Sequence, residues 1–270
     1  MLDFSELSAL RPVTATSPTD QMLVSDRREQ YFRVGLSALW VINSILRARQ
    51  SFLSELTPVR SILDMGCGGG RIARFLRVGF PSAAIYVSDF RKQDEAWVCA
   101  NLGCQPAPEH LPRRAYDLIW LGSVFTHLGQ GPARELLARL LPTLAADGVL
   151  AFSTQGRFAY RRLKDQVSQP EFERSRQSYG LEKESVERLL AGWDESGYGH
   201  VPYPDQVDYG VTIAPPRWYE ETITDLADVT QIYLQEKALG EHQDVLAFLN
   251  RPLAGRPGMA FLPIAQQIVG

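Results

Sequence analysis

A run of glycines between a predicted strand and a predicted helix most restricts what this chain can form. The strand ends in Asp64, glycines follow at positions 66, 68, 69 and 70, and apolar residues recur at helical spacing from residue 72 onward. Glycine adopts positive φ without strain and lets a ligand approach the backbone closely. The first N–H groups of the helix that follows have no intrahelical partner. The sequence therefore predicts a ligand site at a strand–turn–helix junction.

The spacing of these glycines differs from that of a dinucleotide-binding turn. Such a turn has the pattern Gly-x-Gly-x-x-Gly, and its third glycine lets the helix pack closely against the strand. Counted from Gly66, the third position is Arg71; counted from Gly68, it is Ala73. Because neither position holds a glycine, the turn disfavours an NAD-linked dehydrogenase.

Composition excludes several other classes. The 270 residues are 45% hydrophobic and 22% charged with a formal net charge of −3, so no global field attracts nucleic acid. No apolar run is long enough to cross a bilayer, and the first residues lack the order of a signal peptide. The three cysteines, at 67, 99 and 104, do not make a complete disulfide set. We therefore expect a cytoplasmic protein with neither a nucleic-acid nor a membrane partner.

Strand and helix patterns alternate along most of the chain. The predicted strands are 59–64, 83–89, 116–121, 148–154, 229–234 and 243–249, and the predicted helices are 26–49, 72–78, 93–101, 132–144 and 216–227. This alternation predicts an α/β fold whose mostly parallel sheet is covered by helices on both faces. Ligands of such sheets bind at the carboxyl ends of the strands.

Polar and aromatic residues follow two further strand ends. Asp89 follows the second strand about twenty residues after the turn, where a carboxylate can accept hydrogen bonds from ribose hydroxyls. Its alternative role is to cap the next helix; the two roles are compatible, and ribose binding is favoured. Phe90 either covers a base or packs in the protein. His127, after the third clear strand, is either a general base or a histidine satisfied within its loop.

Four segments now resemble motifs of the class I S-adenosylmethionine (AdoMet) methyltransferases. Residues 64–70, Asp-x-Gly-x-Gly-x-Gly, resemble motif I, and residues 116–128 resemble motif IV. Residues 141–150 are similar to the family's Leu-Lys-Pro-Gly-Gly turn, although the lysine is missing and Asp147-Gly148 replaces the glycine pair. Residues 242–245 resemble a closing hairpin of methyltransferase modules from bacterial glycan and secondary-metabolite gene clusters. Together the resemblance covers about 59–250.

The resemblance implies a fold, a cofactor and a site. The fold is a Rossmann-like sheet, mostly parallel with a final antiparallel strand, together with an N-terminal helix and an inserted lid. In that topology the hairpin between the last two strands lies at the edge of the glycine turn, so His242 competes with His127 as the catalytic base. The alternative for His242, which we favour, is a solvated histidine of the hairpin. No metal is implied. The cofactor is AdoMet, and the residues expected to bind it are Asp64, Gly66, Cys67, Gly68, Gly70, Asp89, Phe90 and Ser123.

Two features depart from the family pattern. The stretch 105–115 is short where the family has a full third strand and an acidic contact to adenine, a contact that Gln105 or Glu109 could replace. Asp89 is followed by Phe90 and Arg91, where close relatives often have a second acid. These departures make the finer nucleoside contacts the least specified part of the predicted site.

The pattern along the chain also predicts its organisation. We expect an irregular, flexible N-terminus (1–25), an N-terminal helical cap (26–56), an AdoMet-binding core (57–156), a lid or acceptor insert (157–208), the C-terminal part of the core (209–250) and a tail (251–270). The insert is rich in tyrosine and begins with a cluster of basic residues. Long insertions at the carboxyl edge of a sheet usually form lids or substrate platforms.

The favoured function is AdoMet-dependent O-methylation of a small-molecule or glycan hydroxyl, with in-line transfer of the methyl group; an amine acceptor is less favoured. In such a reaction catalysis is largely positioning, with a base to take the acceptor proton. The alternative is a non-catalytic AdoMet-binding or assembly module in a biosynthetic complex, an idea motivated by the missing third-strand acid. An NAD-linked dehydrogenase is the third hypothesis, and nicotinamide binding without AdoMet binding would revive it.

Overall fold

A computed structural model describes residues 4–23, 27–55, 57–172, 179–204, 206 and 208–252. Nine strands and eight α-helices lie within these residues. None of the described helices combines the length and the apolar character that a membrane span requires. All but the first two residues of the predicted tail, 251–270, lie outside the described residues.

The elements follow one another in an order close to the predicted one. The strands are β1 (Ser61–Met65), β2 (Ala84–Ser88), β3 (Gln105–Pro106), β4 (Tyr116–Leu121), β5 (Leu144–Thr154), β6 (Gly199–Pro202), β7 (Gly210–Ile213), β8 (Thr230–Leu239) and β9 (Gln243–Leu249). The helices are α1 (Phe4–Ala9), α2 (Arg28–Gln50), α3 (Ala73–Gly79), α4 (Lys92–Leu102), α5 (Gln130–Leu140), α6 (Arg157–Val167), α7 (Lys183–Ser196) and α8 (Pro216–Leu226).

Seven strands form one sheet in the order β3-β2-β1-β4-β5-β9-β8. The pairs from β3 to β5 are parallel, whereas β9 runs antiparallel to both of its neighbours. The predicted fold class, a mostly parallel Rossmann-like sheet with a final antiparallel strand, is thereby confirmed. This topology brings the ends of β1, β2, β4 and β5 and the start of β9 to the same edge of the sheet.

Helices cover both faces of the sheet, as the alternating side chains of its strands require. Ile62 of β1 packs on the face covered by α2, α3 and α4, and its neighbour Leu63 packs on the face covered by α5 and α8. Trp120 and Leu121 of β4 divide between the two faces in the same way. Burial on both sides explains why these central strands are almost continuously apolar.

The N-terminal segment is more ordered than its composition suggests. We expected residues 1–25 to be irregular, but Phe4–Ala9 is a helix, and Leu7 packs with Leu39 and Phe75. A buried apolar contact of this kind holds a short helix that would be marginal alone. The prediction of irregular structure was therefore wrong for this helix.

The end of one predicted helix also differs from the structure. The helix predicted over 132–144 ends at Leu140, where a short 3-10 turn (Leu141–Thr143) leads into β5. Pro142 explains the end, because proline within a helix removes a hydrogen bond and clashes with the preceding turn. The stretch predicted to be short, 105–115, holds only the two-residue strand β3, which pairs with Tyr86 and Val87.

The inserted segment forms a unit with its own apolar cluster. Helices α6 and α7 pack around the antiparallel pair β6–β7, and the buried residues of this cluster include Leu163, Leu189 and Ile213. Because β7 pairs with β6, the inserted structure extends beyond the expected boundary at residue 208. This unit lies after β5, at the carboxyl edge of the sheet.

Candidate functional site

The glycine run after β1 forms a tight turn that is fixed to the end of β2. Gly66, Gly68 and Gly70 have φ of +81°, +51° and +82°. The backbone N–H groups of Gly66 and Cys67 both donate to the carbonyl oxygen of Ser88, at 2.7 and 3.2 Å. These conformations strain any residue with a side chain, which explains why glycine is needed here.

The surroundings of the three glycines differ. A β-carbon on Gly66 would lie 2.4 Å from Cγ2 of Val124, and one on Gly70 would lie 2.6 Å from Cδ1 of Leu102. A β-carbon on Gly68 would have no heavy atom within 4 Å. The turn is therefore closely packed at its two ends and faces open space at Gly68. The thiol of Cys67 is buried and donates to the carbonyl oxygen of Gly68 at 3.5 Å.

Asp64, at the end of β1, is a buried acid beside this opening. Only 1% of its surface is exposed, and its Oδ2 has no hydrogen-bond partner within the described residues. Burial, with a smaller contribution from the charge of Asp89, raises the pKa of Asp64 to about 7. A buried carboxylate with an unpaired oxygen is costly for the protein alone and favours a cationic or hydrogen-donating ligand.

Asp89, which follows β2, orders the turn with both of its carboxylate oxygens. Its Oδ2 accepts the N–H of Gly68 at 2.7 Å, and its Oδ1 accepts the N–H of Arg91 at 2.9 Å. Helix α4 is preceded by Arg91 as its N-cap, so Asp89 is not the capping residue that one alternative predicted. Each carboxylate oxygen keeps a second lone pair, which leaves capacity for ligand hydroxyls.

Aromatic side chains extend from the end of β2 toward the loop after β4. Phe90 is 75% exposed, and its ring centroid lies 5.7 Å from that of Tyr209. Tyr209 in turn stacks on His127, with 5.0 Å between the ring centroids and an interplanar angle of 23°. The sequence analysis did not identify Tyr209, which belongs to the inserted segment immediately before β7. The only signal for it was the abundance of tyrosine in that part of the chain.

His127 is held in one tautomer by the inserted segment. Its Nδ1 lies 2.7 Å from the carbonyl oxygen of Gly210, and because a carbonyl only accepts, Nδ1 carries the hydrogen. Nε2 of the neutral ring is then free of a proton. Burial lowers the pKa of His127, although the bond to Gly210 opposes this effect. The side chain is thus neutral near pH 7, as a base must be.

The same loop is joined to the insert through the backbone. The N–H of Gly210 donates to the carbonyl oxygen of His127 at 2.8 Å, and the N–H of Thr212 donates to that of Thr126 at 2.9 Å. A second histidine, His200 of β6, donates from Nδ1 to the hydroxyl of Thr212, because that hydroxyl already donates to the carbonyl oxygen of Leu128. The insert is therefore a fixed wall beside the loop after β4.

Ser123 and His242 are linked through Gln243 at the start of β9. Ser123 has φ of +63°, and its backbone N–H donates to the hydroxyl of Ser153 at 2.8 Å. The hydroxyls of Ser123 and Ser153 both donate to Oε1 of Gln243, at 3.1 and 2.7 Å. Nε2 of Gln243 lies 3.5 Å from Nε2 of His242, whose Nδ1 bonds the carbonyl oxygen of Gly240. His242 thus contacts the loop after β4 indirectly.

A cavity of about 490 Å³ opens beside the first turn of α6. Arg157 and Arg161 line it together with Glu236, which forms an ion pair with Arg157 at 2.8 Å. Tyr160 and Trp193 form an apolar wall, with 5.0 Å between their stacked rings. This cavity combines positive charge with aromatic surface next to the end of β5.

Comparison with known proteins agrees with this architecture. The family model described as "Methyltransferase domain" matches residues 38–208. The chain is 30% identical over 118 residues to malonyl-[acyl-carrier protein] O-methyltransferase of Halalkalibacterium halodurans, a match that covers 39% of this chain and 43% of that protein. It is 27% identical over 144 residues to trans-aconitate 2-methyltransferase of Mycolicibacterium gilvum, covering 50% and 55%. The chain spans about half the length of the curated relatives it matches.

A solved structure gives the same result for the fold. Magnesium protoporphyrin IX methyltransferase from Synechocystis PCC 6803, determined with bound SAH, has a TM-score of 0.51 over 85% of this chain and 89% of its own. The sequences are 14% identical, so this likeness concerns the fold alone. Because the family model extends over more than half of the chain, the protein belongs to the methyltransferase-domain family.

Proposed function

We propose that the protein is an AdoMet-dependent methyltransferase that methylates an oxygen atom of a small-molecule or glycan acceptor. The residues at the glycine turn fit the cofactor: the turn is open at Gly68, Asp64 directly before the turn has an unpaired Oδ2 within the described residues, and Asp89 binds the N–H of Gly68. When bound, AdoMet supplies a methyl group on a cationic sulfur. Asp89 would accept the ribose hydroxyls, and Asp64 would face the cationic amino end.

A hydroxyl acceptor requires a base, and His127 is the best supported one. The observation that carries this assignment is the 2.7 Å contact between its Nδ1 and the carbonyl oxygen of Gly210. This bond leaves Nε2 as a proton acceptor and fixes the plane of the ring. Its lowered pKa keeps the ring neutral at physiological pH. Nε2 of His127 would take the proton of the acceptor hydroxyl as the oxygen becomes methylated.

His242 supports this role less well. Its Nε2 lies 3.5 Å from the amide nitrogen of Gln243, which donates toward it. Gln243 also accepts the hydroxyl of Ser123, so the arrangement favours a role in holding the loop after β4. We assign His242 to positioning rather than to proton transfer.

A carboxylate acceptor is the second candidate. Both curated relatives reported above are named for acids, malonyl and trans-aconitate. A carboxylate is already ionised at neutral pH and needs no base. Arg161, which lines the cavity beside α6 together with the ion pair of Arg157 and Glu236, offers positive charge for such an acceptor. The two candidates therefore differ in whether His127 is needed.

The experiment uses methyl-labelled AdoMet and a metabolite extract. Label in an alkali-stable product indicates an ether, and label released by alkali as methanol indicates an ester. For a hydroxyl acceptor we expect His127→Gln to reduce turnover about 100-fold, within the usual range for a general base. His110→Gln, at an exposed histidine of the described chain, is the matched control.

Three results would contradict parts of this proposal. Unchanged turnover in His127→Gln with an alkali-stable product would refute the base assignment. Release of the label as methanol would favour the carboxylate candidate. Cofactor binding without transfer to any component of the extract would favour the non-catalytic AdoMet-binding module.

A further inference from the structure

A cavity of about 270 Å³ lies at the amino ends of β1 and β2, and we call it the amino-edge cavity. It is lined by residues 57–59, which precede β1, by residues 79–83, which precede β2, and by α2. The glycine turn follows β1 at the opposite end of that strand, and five residues of strand span about 16 Å. The amino-edge cavity is therefore separate from the candidate cofactor site. It also shares no lining residue with the cavity beside α6.

Most of the side chains that line the amino-edge cavity are apolar. Two of them, Leu39 and Leu46 of α2, are 1% and 5% exposed, so the cavity reaches into the core. An engineered cavity of about 150 Å³ with such a lining holds benzene, so the larger volume here can hold a chain or ring of about six to eight carbon atoms. The apolar side chains of the lining are Leu7, Leu39, Leu46, Val59, Phe80 and Ala83.

Arg49, near the end of α2, adds a buried cation to this lining. Its side chain is 2% exposed. Nε donates to the carbonyl oxygen of Asp147 at 2.7 Å, and Nη1 donates to that of Thr57 at 3.0 Å. Nη2 is buried and has no hydrogen-bond partner within the described residues. The two bonds fix the plane of the guanidinium and leave one nitrogen for a ligand.

Two acids act on the charge of Arg49, and both of their carboxylates bind elsewhere. The carboxylate of Asp147 pairs with Arg251, at 2.6 and 3.0 Å. Oδ2 of Asp117 accepts two backbone N–H groups at the start of β1, at 2.8 and 3.0 Å. Burial lowers the pKa of Arg49, and the charges of the two acids oppose this effect only in part. Because arginine stays charged in proteins, its burial carries a cost that a bound anion would offset.

We propose that the amino-edge cavity is a second binding site of this protein and that it takes a small carboxylic acid with an apolar body. The carboxylate of this ligand binds Nη2 of Arg49, and the body packs against the leucines of the lining. Carboxylates match the planar N–H groups of a guanidinium in charge and in direction. A neutral apolar molecule would leave the cation unpaired, and a small inorganic anion would leave the apolar lining uncovered. The inference goes beyond the proposed function, because it does not depend on methyl transfer.

An NMR titration with hexanoate tests the site in the full chain. With ¹³C-labelled leucine methyl groups, Leu39 and Leu46 report from the amino-edge cavity, whereas Leu189 reports from the apolar cluster of the insert. We expect hexanoate to shift the methyl signals of the cavity with a dissociation constant below about 1 mM, because it buries its chain and pairs its charge. Hexanol has the same chain without the charge, and we expect it to bind at least about tenfold more weakly.

Two variants separate the charge from the shape of the cavity. Arg49→Met should weaken hexanoate binding about 10- to 100-fold and change hexanol binding less than about twofold. Arg47→Met removes an exposed arginine of the same helix that does not line the cavity, so it should change neither. Arg49→Met also loses two structural bonds, so Val59→Phe serves as a second variant that keeps Arg49. Its larger side chain should shift the preference from hexanoate to the shorter butyrate.

Each opposing result overturns a stated part of the inference. No shift of the cavity methyl groups up to about 10 mM hexanoate, tenfold above the expected constant, would overturn the site itself. Equal shifts at Leu189 and Leu39 would show unspecific binding and would overturn it as well. Equal affinities for hexanoate and hexanol in the wild type, or unchanged hexanoate binding in Arg49→Met, would overturn the carboxylic acid as the ligand class. The signal of Leu189 also shows whether each variant is folded.

Discussion

Replacing Arg74 with methionine keeps most of the buried side-chain volume and removes the guanidinium. In the folded protein that group donates to the carbonyl oxygens of Val13, Ala15, Gly69 and Gly70, at 2.6, 2.7, 3.2 and 2.9 Å. A hydrogen bond to a charged group contributes about 1.5–3 kcal/mol, but bonds that share one donor group are not additive. Residues 13–22, which we call the strap, include Val13 and Ala15, and the carbonyl oxygens of these two residues can regain water if the strap detaches. We therefore expect a loss of about 3–5 kcal/mol in the free energy of unfolding.

The matched control for this variant is Arg77→Met on the same helix. Arg77 also donates to several carbonyl oxygens, those of Phe80, Pro81 and Ala83, but none of them lies in the strap. Urea unfolding measures the global loss in both variants, and hydrogen exchange of residues 13–22 measures release of the strap. Arg74→Met should accelerate exchange in the strap at denaturant concentrations where Arg77→Met does not. A loss below about 1 kcal/mol, or equal exchange in the two variants, would refute the reasoning.

Two further predictions concern the glycine turn. Gly70→Ala should lower the free energy of unfolding by about 2–4 kcal/mol, because the residue has positive φ and its β-carbon would clash with Leu102. Gly68→Ala should lower it by only about 1 kcal/mol, because that residue has positive φ but faces open space. Equal losses for the two variants in urea unfolding would contradict this packing. Asp64→Asn should raise stability at pH 8 and not near pH 4. The pKa of Asp64 is about 7 in the folded protein and 3.8 ordinarily. Between these two pH values the folded protein keeps a proton that the unfolded chain has lost, so the free energy of unfolding of the wild type falls as pH rises, by up to about 4 kcal/mol. Parallel pH dependences for the wild type and Asp64→Asn would contradict this.

Local patterns in the sequence were enough to predict the strands of the sheet and the residues at the glycine turn. Strand and helix periodicity is read within short windows, and it predicted β1, β2, β4 and β9 close to where they lie. The glycine turn and the acid after β2 are local signals as well. Positive φ at Gly66, Gly68 and Gly70 is a direct consequence of the residue type that the sequence displays.

Contacts between distant residues account for what the sequence missed. Arg74 bonds Val13 across 61 positions of the chain, and no periodic pattern signals that pairing. Tyr209 stacks on His127 only because β7 is joined to the loop after β4, which depends on how the insert folds. The wrong end predicted for α5 has a local cause instead. Pro142 is visible in the sequence and does end the helix in the structure, but the prediction followed the leucines, which continue at helical spacing past it.

The most direct test of the account is a calorimetric titration with S-adenosylhomocysteine and with NAD, on the wild type and on Asp89→Asn. Asp89 is the residue whose carboxylate both orders Gly68 and would accept the ribose hydroxyls. We predict that S-adenosylhomocysteine binds with micromolar affinity, that NAD does not bind, and that Asp89→Asn weakens binding at least about tenfold. Binding of NAD alone, or of neither ligand, would contradict the assignment of the glycine turn to AdoMet.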